Sequence, residues 1–202
     1  MNTRPICAVA SLSWGTRPMT EVRETSLPGV FEMAPKRFHD DRGFFSETWR
    51  QDQFDNIGLN LAFVQDNHSY SAAKGVLRGL HFQLPPRAQD KLVRVVRGAI
   101  FDVAVDIRAS SPTFGKWVGV ELSAEKWNQL LVPKGFAHGF VTLAEDTEVV
   151  YKVTDYYAPK RDRSIRYDDP QIGIEWPLPA DTIQLSAKDR AAPLFTNAEV
   201  FE

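Results

Sequence analysis

The chain has 202 residues, 43% of them hydrophobic, enough to bury a sizeable core in one domain. Its 24 basic and 26 acidic residues nearly cancel, and no block of either sign occurs, which argues against a nucleic-acid binder and leaves any anionic ligand to be held locally. A single cysteine, Cys7, allows neither an intramolecular disulfide nor a thiolate zinc cluster, usage that suits a cytoplasmic protein; the longest apolar runs, such as GAIFDVAVDI, are broken by aspartate well short of the roughly 20 residues that cross a bilayer.

Residues 1–18 read as a floppy extension: their apolar centre is weak, and Trp14, Arg17 and Pro18 follow it, a poor match to a signal peptide. A single domain is expected over 19–202. The segment SETWRQDQFDNIG (46–58) has helical spacing, with Trp49, Phe54 and Ile57 on a rough stripe and Gly58 as its stop. From residue 91 the chain reads as strands rich in Val, Ile, Phe and Tyr. Gly98 splits KLVRVVRGAIFDVAVDIR (91–108) into two runs, the look of a hairpin. RASSPTFGK (108–116) is a loop, WVGVEL (117–122) a strand, and SAEKWNQ (123–129) a turn or one short helical stretch. QLLVPKGFAHGFVTL (129–143) and TEVVYKVTDYY (147–157) continue the β pattern, and the polar tail after IEWPLP (174–179) reads as a peripheral segment folding back. Closely spaced short strands with little helix predict an all-β sandwich or barrel with a few short peripheral helices.

A buried site on such a scaffold needs polar residues among apolar ones, and Arg78, His81, Lys91, His138, Tyr151 and Tyr157 are the candidates. Taken singly, a His or Tyr in a strand is more often a packed residue with its polar tip satisfied, and an Arg or Lys more often a solvated one. Convergence favours chemistry, because His, Lys and Tyr are side chains of proton transfer and here fall on several strands. No two of the four histidines, 39, 68, 81 and 138, stand one residue apart as in metal-binding β-barrels, so a metal-free site is expected. Phosphate-loop and nucleophile-elbow patterns are absent.

Seven segments in order carry a resemblance over nearly all of 19–194: TSLPGVF, FHDDRGFFSETW, FVQDNHSYSAAKGVLRGLHFQ, KLVRVVRGAIFDVAVDIRASSPTFGKWVGVELS, VPKGFAHGFVTL, EVVYKVTDYYAP and LSAKD. Together they resemble the dTDP-4-dehydrorhamnose 3,5-epimerase family. The resemblance implies a homodimeric, cupin-type jelly roll that binds a dTDP-linked 4-keto-6-deoxyhexose and needs no cofactor. It implies that His81 is a base and Tyr151 an acid on the opposite side of the sugar ring, with Lys91 beside the ketone oxygen. It places the carboxylate that orients His81 at Asp189, with Asp169 as runner-up. Arg78, Gln65 and Asn67 resemble diphosphate and sugar contacts, and His138 and Tyr157 further pocket residues. Arg42, Phe45 and Glu47 resemble a group that meets the thymidine and its phosphates and often reaches across a dimer interface; for Phe44, Phe45 and Trp49 plain packing is an even alternative. The family includes enzymes that invert only carbon 3 or carbon 5, and a non-catalytic sugar-nucleotide binder is the further alternative.

Two expectations are geometric. Strand alternation puts Arg78 and His81 on opposite faces, so a shared site requires an irregularity, and Gly79 between them is its natural place. Arg87 and Asp90 depart from the family pattern, and Asp90 could displace the ammonium of Lys91.

Overall fold

The computed structural model describes residues 20–202; the expected extension, 1–18, lies outside the described residues. The chain forms, in order, β1 (Thr20–Glu24), β2 (Phe31–Pro35), β3 (Phe38–Asp40), β4 (Gly43–Phe45), α1 (Gln51–Asn56), β5 (Gln65–Ser71), β6 (Val76–Gln83), β7 (Lys91–Arg97), β8 (Ala99–Asp106), β9 (Trp117–Ser123), β10 (Gln129–Val132), β11 (Phe136–Thr142), β12 (Thr147–Val153), β13 (Asp162–Ser164), β14 (Gln184–Leu185) and α2 (Ala187–Arg190). Among the described residues no helix is long and apolar enough to cross a membrane.

Two sheets result, ordered β1-β2-β10-β7-β12-β5 and β13-β6-β11-β8-β9, with β14 added beside β6 and β3–β4 apart as a small hairpin. Val93, Val95, Leu130, Val132 and Val149 of the first sheet pack against Ile100, Ala104, Leu122, Phe136 and Phe140 of the second. This is the expected all-β, cupin-type sandwich. Both outer faces are also covered. The segment carrying Trp49, Phe54, Leu59 and Phe63 lies on Met33, Leu92 and Leu131, and the tail sets Ile165, Ile172, Phe195 and Phe201 against Leu80, Phe82, Val103 and Ala137. Strands covered on both faces lose the hydrophobic–polar alternation and read as continuous apolar runs; β11 is buried at every position. Each Val or Leu so buried contributes about 2 kcal/mol.

Two expectations are corrected. Gly98 does not make a hairpin: β7 and β8 belong to different sheets, and the chain crosses between them at Gly98, where φ is +77° and a Cβ would stand 2.4 Å from Oγ1 of Thr147. The run 129–143 is likewise two strands in opposite sheets, parted by Pro133–Gly135. The helix expected over 46–58 is only α1, because Arg50 is extended at its N-cap and Trp49 turns aside to meet Phe63 edge-on. Phe54 alone of the stripe is fully buried, and Ile57 is exposed. Residues 124–127 form a turn, and the tail folds back as expected.

Candidate active site

Between the two sheets opens a cavity of about 360 Å³. Gln65, Asn67 and Ser69 enter it from β5, two residues apart as alternation dictates, with Lys91 from β7 and Tyr151 from β12. The opposite sheet supplies Arg78 and His81 from β6, His138 from β11 and Asp162 from β13, while the tail brings Ser186, Lys188 and Asp189 to the rim. Tyr157, in the loop after β12, stands more than half exposed at the mouth.

Arg78 and His81 share the cavity because β6 is irregular at Gly79. Against β11, His81 pairs with His138 and Arg78 with Phe140, so two residues of β6 oppose the single Gly139. Gly79 has φ +143°, in the region that favours glycine. The parity of the strand changes at this bulge, as expected.

His81 shares a 2.5 Å hydrogen bond between Nε2 and Oδ1 of Asp189. Burial alone would raise the carboxyl pKa of Asp189, but the bonds from His81 and Ser186 and the nearby charge of Lys188 hold it below the usual carboxylate range. An ionised carboxylate only accepts, so the bonded ring nitrogen carries a proton. Asp169, the runner-up, lies elsewhere. Its Oδ1 accepts the backbone N–H of Gln171 and Ile172 and its Oδ2 that of Phe195, which ties down the tail.

Lys91 is buried, and its Nζ donates to the carbonyl of His81 at 3.1 Å. Burial lowers its pKa to about 8 against the pull of Asp102 and Asp162. Asp90 does not displace that ammonium: its carboxylate is occupied by the N–H of Lys134 and the hydroxyl of Thr154. Burial raises the Tyr151 phenol above its ordinary pKa, so it stays protonated near neutrality. Burial pushes His138 down, offset in part by Asp102, whose Oδ1 lies 2.7 Å from Nε2 of the ring.

Arg78 donates to the carbonyl of Tyr70 and, more weakly, to Oγ of Ser71. Gln65 accepts the N–H of Tyr157 and donates to Asn67, so these two amides help to hold the mouth. Tyr157 reaches Asp162 at 3.3 Å, and Lys188 reaches the same carboxylate oxygen at 2.5 Å.

Arg42, Phe45 and Glu47 do not line the cavity of the chain that carries them. Arg42 pairs with Asp40 in the β3–β4 turn, Glu47 with Arg50, and Phe45 is 65% exposed. That exposure removes plain packing as an account of Phe45, whereas Phe44 meets Trp127 edge-on and Trp49 packs on Phe63.

Several cavity or partner residues escape a reading of the sequence. Asp102 is fully buried and leaves Oδ2 unpartnered among the described residues; its signal is an aspartate inside the apolar run AIFDVAVD. Ser69 also carries a buried, unpartnered hydroxyl, and its signal is its place four residues after Gln65. Asp162 and Lys188 lie on β13 and α2, elements too short to give a periodic signal.

The description of the family model that matches residues 24–197 is dTDP-4-dehydrorhamnose 3,5-epimerase. Over 185 residues, 91% of this chain and 100% of the relative, the sequence is 56% identical to a dTDP-4-dehydrorhamnose 3,5-epimerase of Salmonella typhimurium. A crystal structure of a dTDP-6-deoxy-D-glucose-3,5-epimerase from Legionella pneumophila in complex with dTDP-4-keto-L-rhamnose has a TM-score of 0.84 at 49% identity, covering 88% of this chain and 94% of that one. A 3'-monoepimerase from Streptomyces bikiniensis in complex with dTDP-quinovose has a TM-score of 0.78 at 36% identity, covering 85% and 86%.

Proposed function

The chain belongs to the dTDP-4-dehydrorhamnose 3,5-epimerase family and is an isomerase, and we propose that it inverts carbons 3 and 5 of dTDP-4-dehydro-6-deoxy-D-glucose to give dTDP-4-dehydro-L-rhamnose. One observation carries the reading: His81 and Tyr151 enter one cavity from opposite sheets, with the ammonium of Lys91 beside them. Inversion next to a ketone requires a base on one face of the ring, an acid on the other, and a partner for the negative charge that develops on the ketone oxygen.

In this reading the unprotonated nitrogen of His81 takes the proton from carbon 3 or carbon 5. The electron pair passes into the C4 carbonyl as an enolate, whose oxygen the Lys91 ammonium stabilises. The Tyr151 hydroxyl then delivers its proton to the opposite face, and the carbonyl re-forms. His81 loses its added proton to solvent and Tyr151 regains one before the second carbon reacts. Asp189 keeps the tautomer of His81 fixed and compensates the charge on its ring.

Arg78, Gln65, Asn67 and Ser69 form the polar wall suited to the diphosphate and sugar, with His138 and Tyr157 completing the pocket. Arg42, Phe45 and Glu47 fit the part of a partner subunit in a homodimer: exposed on a hairpin outside their own chain's cavity, they serve the thymidine and phosphates in the neighbour's. Identity of 56% to a 3,5-epimerase against 36% to a 3'-monoepimerase favours inversion at both carbons.

The test is incubation of dTDP-4-dehydro-6-deoxy-D-glucose with the protein in D₂O, followed by NMR. Deuterium and inverted configuration at both carbons 3 and 5 are expected. Incorporation at one carbon alone would make the protein a mono-epimerase, and none at either would overturn the reading.

A further inference from the structure

Asp189 is 3% exposed, so both its oxygens must be satisfied within the protein. Oδ1 meets His81. Oδ2 accepts from the hydroxyl of Ser186 at 2.8 Å, and the same hydroxyl oxygen, as N-cap of α2, accepts the backbone N–H of Asp189 at 3.1 Å. One proton and one lone pair of Ser186 therefore grip the aspartate at both its side chain and its backbone. Ser186 is itself anchored. It directly follows β14, whose Gln184 and Leu185 pair in register with Val76 and Leu77 of β6, the strand that carries His81. On the other side of Ser186, Lys188 is tied to Asp162 of β13, which also pairs with β6.

We propose that Ser186 is a positioning residue for proton transfer: its hydroxyl clamps the Asp189 carboxylate so that Oδ1 alone faces His81, which fixes the proton on one ring nitrogen. The inference rests on the reading of His81 as the base. Without the clamp, Asp189 can turn about its terminal torsion, where rotamers are broad, and offer either oxygen or a bent bond. The histidine is then free to hold its proton on the wrong nitrogen for part of the time. Hydrogen bonds to a charged group are strong enough for their loss to slow turnover about tenfold or more.

The experiment combines kinetics with proton NMR of the downfield imidazole N–H resonances. The bonds His81–Asp189 and His138–Asp102 should each give one, and His81→Asn assigns the first. Ser186→Ala and Ser186→Gly should lower kcat about tenfold or more while KM changes by less than about twofold, and Ser186→Thr should restore most of the loss. In the Ala and Gly variants the His81 resonance should broaden or vanish while that of His138 persists. Glycine is a tolerable N-cap, so a purely structural role predicts near-normal turnover in Ser186→Gly, and that variant keeps the test open if Ser186→Ala does not fold. A kcat within about twofold of the parent in either variant, or an unchanged His81 resonance, overturns the proposal. Wild-type turnover in Asp189→Asn would instead bring down the His81–Asp189 reading itself. An inactive Asp189→Asn beside a fully active Ser186→Ala would remove only Ser186.

Discussion

Gly79 of β6 and Gly139 of β11 stand so close that a Cβ on Gly79 would lie 2.5 Å from the Cα of Gly139. This contact is what lets the bulge close: two residues of β6 oppose Gly139, and the strand emerges with Arg78 and His81 both turned to the cavity. Gly79→Ala is therefore expected to cost about 3 kcal/mol of stability, from backbone collision and from a φ of +143° that alanine resists. Denaturant unfolding checks the loss. Whatever fraction folds should show a raised KM and a lowered kcat together, since either the arginine or the histidine must be displaced. An alanine variant of wild-type stability and kinetics would show that the bulge is not needed to bring the two residues together.

The opposition of His81 and Tyr151 makes the two halves of the reaction separable. His81→Asn should abolish deuterium exchange at both carbons, because no proton is removed. Tyr151→Phe should retain exchange while inverted product falls by a factor of about 100 or more, the scale of a lost general acid. Both are read from the same NMR spectra. Full inversion by Tyr151→Phe would remove that residue as the acid.

How far the sequence reveals the structure differs from one element to the next. The strands from residue 91 onward are legible because β7, β8 and β11 are covered on both faces and so read as apolar runs. The same property hides their pairing: a uniform run says nothing of which sheet it joins, so Gly98 looks like a hairpin tip although it is a crossing point. Helix 46–58 is overextended because Trp49 belongs to an aromatic cluster with Phe63 rather than to a helical stripe. In the cavity, His81, Lys91 and Tyr151 are legible through residue type and resemblance. Ser69 and Asp102 are not, since a hydroxyl within a polar strand and one aspartate within an apolar run acquire meaning only when their burial is seen.

Ser69 carries a prediction with two opposite signs. Its buried hydroxyl has no partner among the described residues, and an unpaired buried polar group costs stability. Ser69→Ala should therefore unfold at the same temperature as the parent or higher. If the hydroxyl serves the sugar nucleotide, the same variant should raise KM by about fivefold to tenfold with kcat little changed, the worth of one hydrogen bond. Thermal unfolding and steady-state kinetics on one sample decide both. Lower stability with unchanged KM would make Ser69 a structural residue.

If the Lys91 ammonium stabilises the enolate, Lys91 should set the alkaline side of the pH profile. Burial brings its pKa down to about 8, and the protonated form is the one that stabilises an enolate. Activity that depends on this cation is complete well below pH 8 and is lost as pH rises through that value. Tyr151 does not contribute to the same limb, because burial moves its ionisation upward, away from this range. Measured kcat/KM, which reports the free enzyme, should accordingly fall above about pH 8. In Lys91→Arg, slower overall because the guanidinium is broader, that fall should disappear, since arginine keeps its charge throughout the range. A wild-type kcat/KM that stays level to about pH 9.5, or an identical decline in Lys91→Arg, would assign the limb to another group and separate Lys91 from the developing charge.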